Sequence, residues 1–328
     1  MKILYAIQGT GNGHISRARD IVPLLSKKGN LDILISGVQA DVSLPYPVAY
    51  QYRGMSFIFG KRGGIDLLNT LRQTNISRLN KDISHFPVEK YDLIINDFEP
   101  VSAWACKLKG KRSVALSHQS AVLNSKAPRP GRPDPMGKMV LRYFAPTTSQ
   151  YGFHFSRFDE NIYTPVIRKQ IRNIKPTQGN YFTVYLPAYS DEMLVRFFSQ
   201  FPKLKWNIFS KHNTQRRAHG NVCLHPVDND AFIQSLAHAA GLVCGAGFES
   251  PAEALFLGKK VLCVPMKNQY EQHCNAAALE NLGVPVISGL KEKHMPFIDN
   301  WLLNGEPVEV NYPDQTEEIL DMIIDKHV

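Results

Sequence analysis

Residues 241–283 read GLVCGAGFESPAEALFLGKKVLCVPMKNQYEQHCNAAALENLG. A short apolar run ends in Gly245-Ala246-Gly247, and helix-like spacing opens at Ser250-Pro251. A second apolar run ends at Pro265, and Glu271-Gln272 opens another helix. Strand, glycine turn, helix, strand, helix is the repeating unit of a parallel sheet with covered faces. Flexible backbone ahead of a helix N-terminus also makes an anion cradle, because free N–H groups and the helix dipole both favour negative charge there. Glu253, one turn into that helix, is placed to accept hydrogen bonds from two ribose hydroxyls. A plainer reading takes Ser250-x-x-Glu253 as a capping box with Pro251 at the first helical position. The plainer reading explains Ser250 and leaves the glycines unexplained.

The same rhythm runs outward in both directions. KILYAI (2–7), LDILIS (31–36), YDLIIND (91–97) and SVALSH (113–118) read as strands of the first half. Helix-like stretches lie at 14–28, 65–83 and 103–108, and Pro23 predicts a kink in the first of them. The second half continues with YFTVYL (181–186), KWNIFS (205–210) and NVCLHPV (221–227), with helices between and a closing helix at TEEILDMIIDKHV (316–328). The basic, Pro- and Gly-rich segment 125–135 reads as a loop or lid. The expectation is an α/β protein of two tandem Rossmann-like, doubly wound parallel-sheet domains, residues 1–150 and 151–310. Residues 311–328 form a C-terminal helix that packs back toward the first domain. Ligands then belong in the crevice between the domains, at the carboxyl ends of the strands.

The first strand-to-helix turn is Gly9-Thr10-Gly11-Asn12-Gly13-His14. Gly11 and Gly13 suit close approach to an anion, yet the GxGxxG spacing fails and the second strand ends in Ser36-Gly37 without an acid. A nicotinamide cofactor is therefore disfavoured. His14 sits where a strand end meets a helix start and suits general-base work near neutral pH. Asp97, closing a neighbouring strand, opens onto the same crevice and could orient the imidazole. Two plain alternatives stand beside these: a locally bonded helix-start histidine, and an N-cap aspartate.

Gly247-Phe248-Glu249-Ser250-Pro251-Ala252-Glu253, Val264-Pro265, Glu271-Gln272 and Asn275 resemble the donor-site signature of nucleotide-sugar glycosyltransferases of the GT-B fold, in particular the MurG-like and UDP-glycosyltransferase groups. The resemblance implies a donor site of Gly245, Gly247, Phe248, Ser250, Glu253, Glu271 and Gln272, with Glu253 on the ribose and Glu271-Gln272 on the donor sugar. Gly11-x-Gly13-His14-x-x-Arg17 looks like the acceptor-side loop of that superfamily. It implies His14 as catalytic base and Asp97 as its partner. The implied reaction is inverting transfer from a UDP-sugar, with the nucleotide sugar as co-substrate and no resident cofactor or metal. This chain departs from the plant-type pattern, which has a phosphate-binding histidine where Gly245 stands. UDP-sugar hydrolases share GxGHxxR, so hydrolysis remains an alternative, as does nucleotide-sugar binding without catalysis.

Composition bounds the rest. Apolar residues make up 44% and charged residues 20% of 328, as in a folded protein rather than a disordered one. No apolar run approaches the ~18 residues that span a bilayer. The N-terminus is unlike a signal peptide, and Cys106, Cys223, Cys244, Cys263 and Cys274 form no CxxC pair. These features read as a cytoplasmic protein with reduced thiols. Residues 1–150 hold 21 Lys and Arg against 10 Asp and Glu, whereas 151–328 hold 17 against 19. The basic half, with Lys61-Arg62 and Arg129 to Arg132 in loops, suggests an anionic or membrane-bound acceptor and peripheral contact with the inner membrane face. Nucleic acid is disfavoured because no aromatics interleave the basic residues, and no obligate protein partner is evident. Asp228-Asn229-Asp230 spells a DxD, a spacing that can hold a metal, but an Asp N-cap to the next helix is the simpler reading. His118, at another strand end, is placed in the acceptor cleft.

Overall fold

The computed structural model describes residues 1–37, 44–55 and 75–328. The expected basic loop at 60–64 and most of the helix expected at 65–83 lie outside the described residues; the remainder belongs to a helix at Ile76–His85.

The first sheet holds β1 (Lys2–Gln8), β2 (Asn30–Ser36), β3 (Tyr50–Tyr52), β4 (Leu93–Asp97), β5 (Val114–Ser117), β6 (Ser149–Phe153) and β7 (Ile162–Tyr163). Its order is β3-β2-β1-β4-β5-β6-β7, and every neighbouring pair is parallel. The second sheet holds β8 (Tyr181–Tyr185), β9 (Lys205–Ser210), β10 (Arg217–His219), β11 (Val222–Pro226), β12 (Gly241–Cys244) and β13 (Lys260–Cys263). Its order is β10-β11-β9-β8-β12-β13, with only β10 antiparallel. Both are doubly wound sheets, and each reverses direction beside its first strand: between β1 and β4, and between β8 and β12. The crevices that open at those reversals are where such sheets take ligands.

Strand composition follows from double-sided burial. Ile3 to Ile7 on β1 are all fully buried, with the residues of one face packed among Ile15, Ala18 and Ile21 and those of the other against Phe86 and Tyr91. Both faces of β1 are therefore apolar, which is why it reads as a continuous run and not as an alternation. The first sheet continues through Tyr163, so β6 and β7 extend it beyond residue 150, where the sequence reading divides the chain. SQYGF is too short and too mixed to announce a strand; its partner β5 makes it one.

The helix Asn12–Ser26 runs unbroken through Pro23, where a kink was expected. Proline removes the hydrogen bond to the carbonyl four residues earlier, that of Arg19. Here the Tyr46 hydroxyl donates to that carbonyl at 3.2 Å, so the helix loses little by continuing. The C-terminal helix, Thr316–His327, places Ile319, Leu320 and Ile323 in the same apolar cluster as Ile15 and Ile21. Lys28 binds Asp321, and Tyr151 lies 3.0 Å from His327, so this helix is anchored on the first domain. The loop at 125–135 gives way to a helix at Pro135–Phe144 that the sequence reading did not assign, capped by Asp134.

Gly152 on β6 shows how tightly the site's supports are packed. A Cβ there would stand 2.5 Å from the backbone nitrogen of Ala121, in the helix His118–Leu123. Gly152→Ala is expected to cost about 1–3 kcal/mol through overpacking, read as a lower urea midpoint.

Candidate active site

The helix Asn12–Ser26 starts without a side-chain cap. Gly11 stands at the N-cap with φ 89°, a left-handed conformation that glycine adopts without strain. The first-turn amides are left for other partners. His14 and Arg17, one turn apart, share the face turned toward the end of β4. There the Nδ1 of His14 lies 2.8 Å from Oδ1 of Asp97. Arg17 donates through Nη2 to both Asp97 oxygens, at 2.7 and 2.8 Å. Asp97 is fully buried. Burial alone would raise its carboxyl, but the Arg17 guanidinium and His14 outweigh that and hold it below the usual range. The N-cap alternative for Asp97 fails: Glu99 caps the next helix, accepting from the amides of Val101 and Ser102.

With Nδ1 turned to a carboxylate, the Nε2 of His14 faces a cavity of about 210 Å³ bounded by both domains. Gln119 Nε2 is 3.5 Å from it. Such a neighbour suits a tautomer whose Nδ1–H donates to Asp97 and whose Nε2 accepts. Phe98, directly after Asp97, has φ 58° and lies parallel to the imidazole at 6.3 Å. A positive φ at a bulky residue is uncommon and costs free energy. It turns the chain abruptly after Asp97 and brings the phenyl ring to the cavity wall.

The second domain supplies the facing wall. Its helix Glu249–Phe256 also begins without a side-chain cap, one residue earlier than the expected Ser250, so the capping box is not formed. Its first residues follow the turn Gly245-Ala246-Gly247-Phe248. Beside them is a smaller cavity of about 80 Å³ at the reversal between β8 and β12, bordered by Gly245, Gly247, Ser250 and Gln272. Gln272 is held there by accepting the Met266 amide at 2.8 Å. Glu271 faces the larger cavity and accepts from Gln119 at 3.2 Å. His118 also borders the larger cavity. Its ring stacks on Phe248 with centroids 3.9 Å apart, and its nitrogens lie 2.8 Å from the Phe153 carbonyl and 2.7 Å from Asn275 Oδ1. It thus clasps the two domains, and burial lowers its basicity.

Two placements differ from the sequence reading. Glu253 is 2% exposed and borders neither cavity. Both its oxygens accept from the buried Arg168, one at 2.7 Å, and Arg168 also donates to Asn229 at 2.6 Å. The ribose contact expected of Glu253 thus has no opening to a cavity here, and the cause is an arginine 85 residues away that no local pattern forecasts. The second placement is Glu249, which sequence reasoning quoted without assigning it a role. Its carboxylate accepts from Arg17 across the cleft, and a Cβ on Gly13 would stand 3.0 Å from its Cγ. Burial pushes the Glu249 carboxyl up to about 7; Arg17 opposes, while Glu253 and Asp97 add to the rise. An acid opening a helix beside a glycine loop was the available signal. Asp228 caps the helix Asn229–His238 at 2.8 Å from the Ala231 amide, as the simpler reading of the DxD had it.

Two facing doubly wound domains with a cleft between them are the architecture of the GT-B fold. The chain belongs to glycosyl transferase family 1, whose model matches residues 1–304. Among solved structures it is similar to MurG of Acinetobacter baumannii, at 14% identity and TM-score 0.59, covering 99% of each chain. It is also similar to a UDP-glucosyltransferase from Polygonum tinctorium, at 13% identity and TM-score 0.59, covering 99% of this chain and 93% of that one. The Arabidopsis thaliana UGT89C1 bound to quercetin matches at 12% identity and TM-score 0.58, over 99% of this chain and 94% of that one. These likenesses concern the fold. No curated protein matches the chain in sequence.

Two expectations follow from the buried charges. Arg168→Met strands Glu253 and should cost about 3–5 kcal/mol. Asp97, with its carboxyl lowered on folding, stabilises above the unfolded aspartate range near pH 3.9 and loses that contribution as pH falls through its lower native value. Asp97→Asn should therefore be less stable than wild type at pH 7, and urea titrations should show the gap closing below about pH 4.

Proposed function

We propose that this protein transfers a sugar from a UDP-sugar to an acceptor hydroxyl or amine with inversion, His14 acting as general base. The observation that carries the reading is the His14–Asp97 pair, 2.8 Å apart, with His14 lining the interdomain cavity beside Gln119. In this reading Asp97 holds the tautomer and stabilises the imidazolium that forms when the acceptor gives up its proton. The anomeric carbon lies between the acceptor and the departing diphosphate, passing through an oxocarbenium-like state. One base and one displacement give inversion. The diphosphate is received at the amides that open the helix Glu249–Phe256, where free N–H groups and the helix dipole meet its growing charge. Gly247, with open space around the position of a Cβ, leaves room for that approach. Gln272 and Glu271 face the donor from the two cavities. Because backbone amides carry the charge, the reading needs no divalent cation, and a chelator should leave turnover unchanged.

The acceptor is read as anionic or held at the inner membrane surface. In support, residues 1–150 carry the excess of basic charge. The helix Pro135–Phe144 exposes Met136, Met139 and Tyr143 beside Lys138 and Arg142. Among the described residues no helix is long and apolar enough to cross a membrane, so the contact would be peripheral. Anionic liposomes at low salt should sediment the protein, and neutral ones should not.

The donor reading is tested by thermal shift with UDP-, dTDP- and GDP-sugars and with NAD. Ligand at about 100 times its dissociation constant adds roughly 2.7 kcal/mol. A selective UDP-sugar shift supports the reading; a shift with NAD alone overturns it. His14→Ala should slow UDP release with an acceptor panel by about 10²- to 10⁴-fold while leaving donor affinity within a few-fold. Free sugar released at full rate without acceptor would instead indicate hydrolysis.

A further inference from the structure

Charge in the cleft does not balance once a donor is bound. The cavity at the β8–β12 reversal is bordered by no lysine or arginine, and the larger one by Arg17 alone, among the described residues. Arg17 is already engaged: it donates to both oxygens of Asp97 and to Glu249. Glu271 adds a further carboxylate to the same wall. A nucleotide-sugar diphosphate carries two negative charges. Received at the amides that open the helix Glu249–Phe256, it stands at that helix's first residue, whose carboxylate lines the adjoining larger cavity and accepts from Arg17. Three carboxylates and a diphosphate around one committed guanidinium is an expensive arrangement in a cleft between two domains.

We propose that Glu249 takes up one proton from solvent as the donor binds, so that a neutral carboxylic acid donates a hydrogen bond to the diphosphate while Arg17 stays on Asp97. This rests on the donor reading above. The proton adds to a carboxylate oxygen of Glu249 on binding and returns to solvent on nucleotide release; no other bond changes. Glu249 is suited to this exchange by its surroundings. Glu253 faces it from its own helix, Asp97 from the end of β4, and both disfavour its charge; Arg17 and His14, from the helix Asn12–Ser26, favour it, as does Arg168, which is committed to Glu253, and Tyr5 of β1 lies within its field. His118 and Glu271 complete the titratable groups of the shared cavity wall. The balance leaves its carboxyl at about 7, against about 4.5 for an ordinary glutamate, where one added anion suffices to protonate it. Protonation also keeps the catalytic pair intact, because Arg17 need not leave Asp97 to neutralise the phosphates. Glu249 is thus a donor-binding residue whose protonation matches the site to a dianion.

The test is calorimetric titration with UDP-glucose, whose diphosphate diester does not itself titrate near neutrality, in buffers of contrasting ionisation enthalpy. At pH 8 the wild type should take up close to one proton per donor, and affinity should fall nearly tenfold per pH unit above about pH 7. Glu249→Gln, which keeps shape and removes the titration, should bind with no proton uptake and with affinity flat between pH 6.5 and 8.5. His14→Gln should retain the uptake, which separates Glu249 from the neighbouring imidazole. UDP-glucose binding without proton uptake in wild type, or with uptake surviving in Glu249→Gln, overturns this proposal and leaves the donor reading standing. Absence of binding by any nucleotide sugar overturns the donor reading itself.

Discussion

The guanidinium of Arg17 is the point on which the two halves of this protein meet. It is almost wholly buried and stands between Asp97 of the first domain and Glu249 of the second. Burying a charge is tolerated only when partners replace its water, and a guanidinium with its fixed fork can satisfy two carboxylates at once. Here the two carboxylates come from different domains. Arg17 therefore holds the partner of His14 and touches the first residue of the donor-side helix in the same gesture. Around it the cleft is drawn close, with the backbone at Gly13 near the Glu249 side chain and His118 stacked on Phe248.

The sheets explain why the meeting falls there. Each domain is a parallel sheet that winds outward in both directions from its first strand, so each opens a crevice where the winding reverses. His14 follows β1 and Asp97 closes β4, on the two sides of the first crevice. Tyr185 closes β8 and Gly245 follows β12, on the two sides of the second. Both helices that leave these crevices toward the cleft begin uncapped, at Gly11 and at Phe248. Two facing helix starts without side-chain caps make the cleft receptive to anions through their dipoles. The acidic residues within it, Asp97, Glu249 and Glu271, then decide how that receptivity is tuned.

Much of this was legible residue by residue. The strands at 2–8 and 93–97 announced themselves as apolar runs, because burial on both faces leaves little room for polar alternation. The glycine turns, His14, Asp97 and the Glu271-Gln272 pair stood at strand ends and helix starts, where chemistry is expected. Other features were opaque for definite reasons. The helix Pro135–Phe144 buries only Leu141 and Phe144 and is held by packing against Phe98 and Val122 of the first domain and Tyr270 and Cys274 of the second. Strand β6 is mixed in composition and exists through its neighbour. Glu253 looked free because its partner, Arg168, stands in a segment without any motif.

What the sequence determined by itself was local: which stretches form strands, where backbone amides are left open, and which imidazole and carboxylates stand at those openings. Such features depend on side-chain periodicity and on chemistry within a few residues, and one dimension records them. The tertiary structure alone decided who pairs with whom. Arg17 meets Glu249 across 232 positions of chain, and Arg168 meets Glu253 across 85. These pairings are settled when the chain packs and water leaves, because a charge stripped of solvent must take the opposite charge that packing brings within reach.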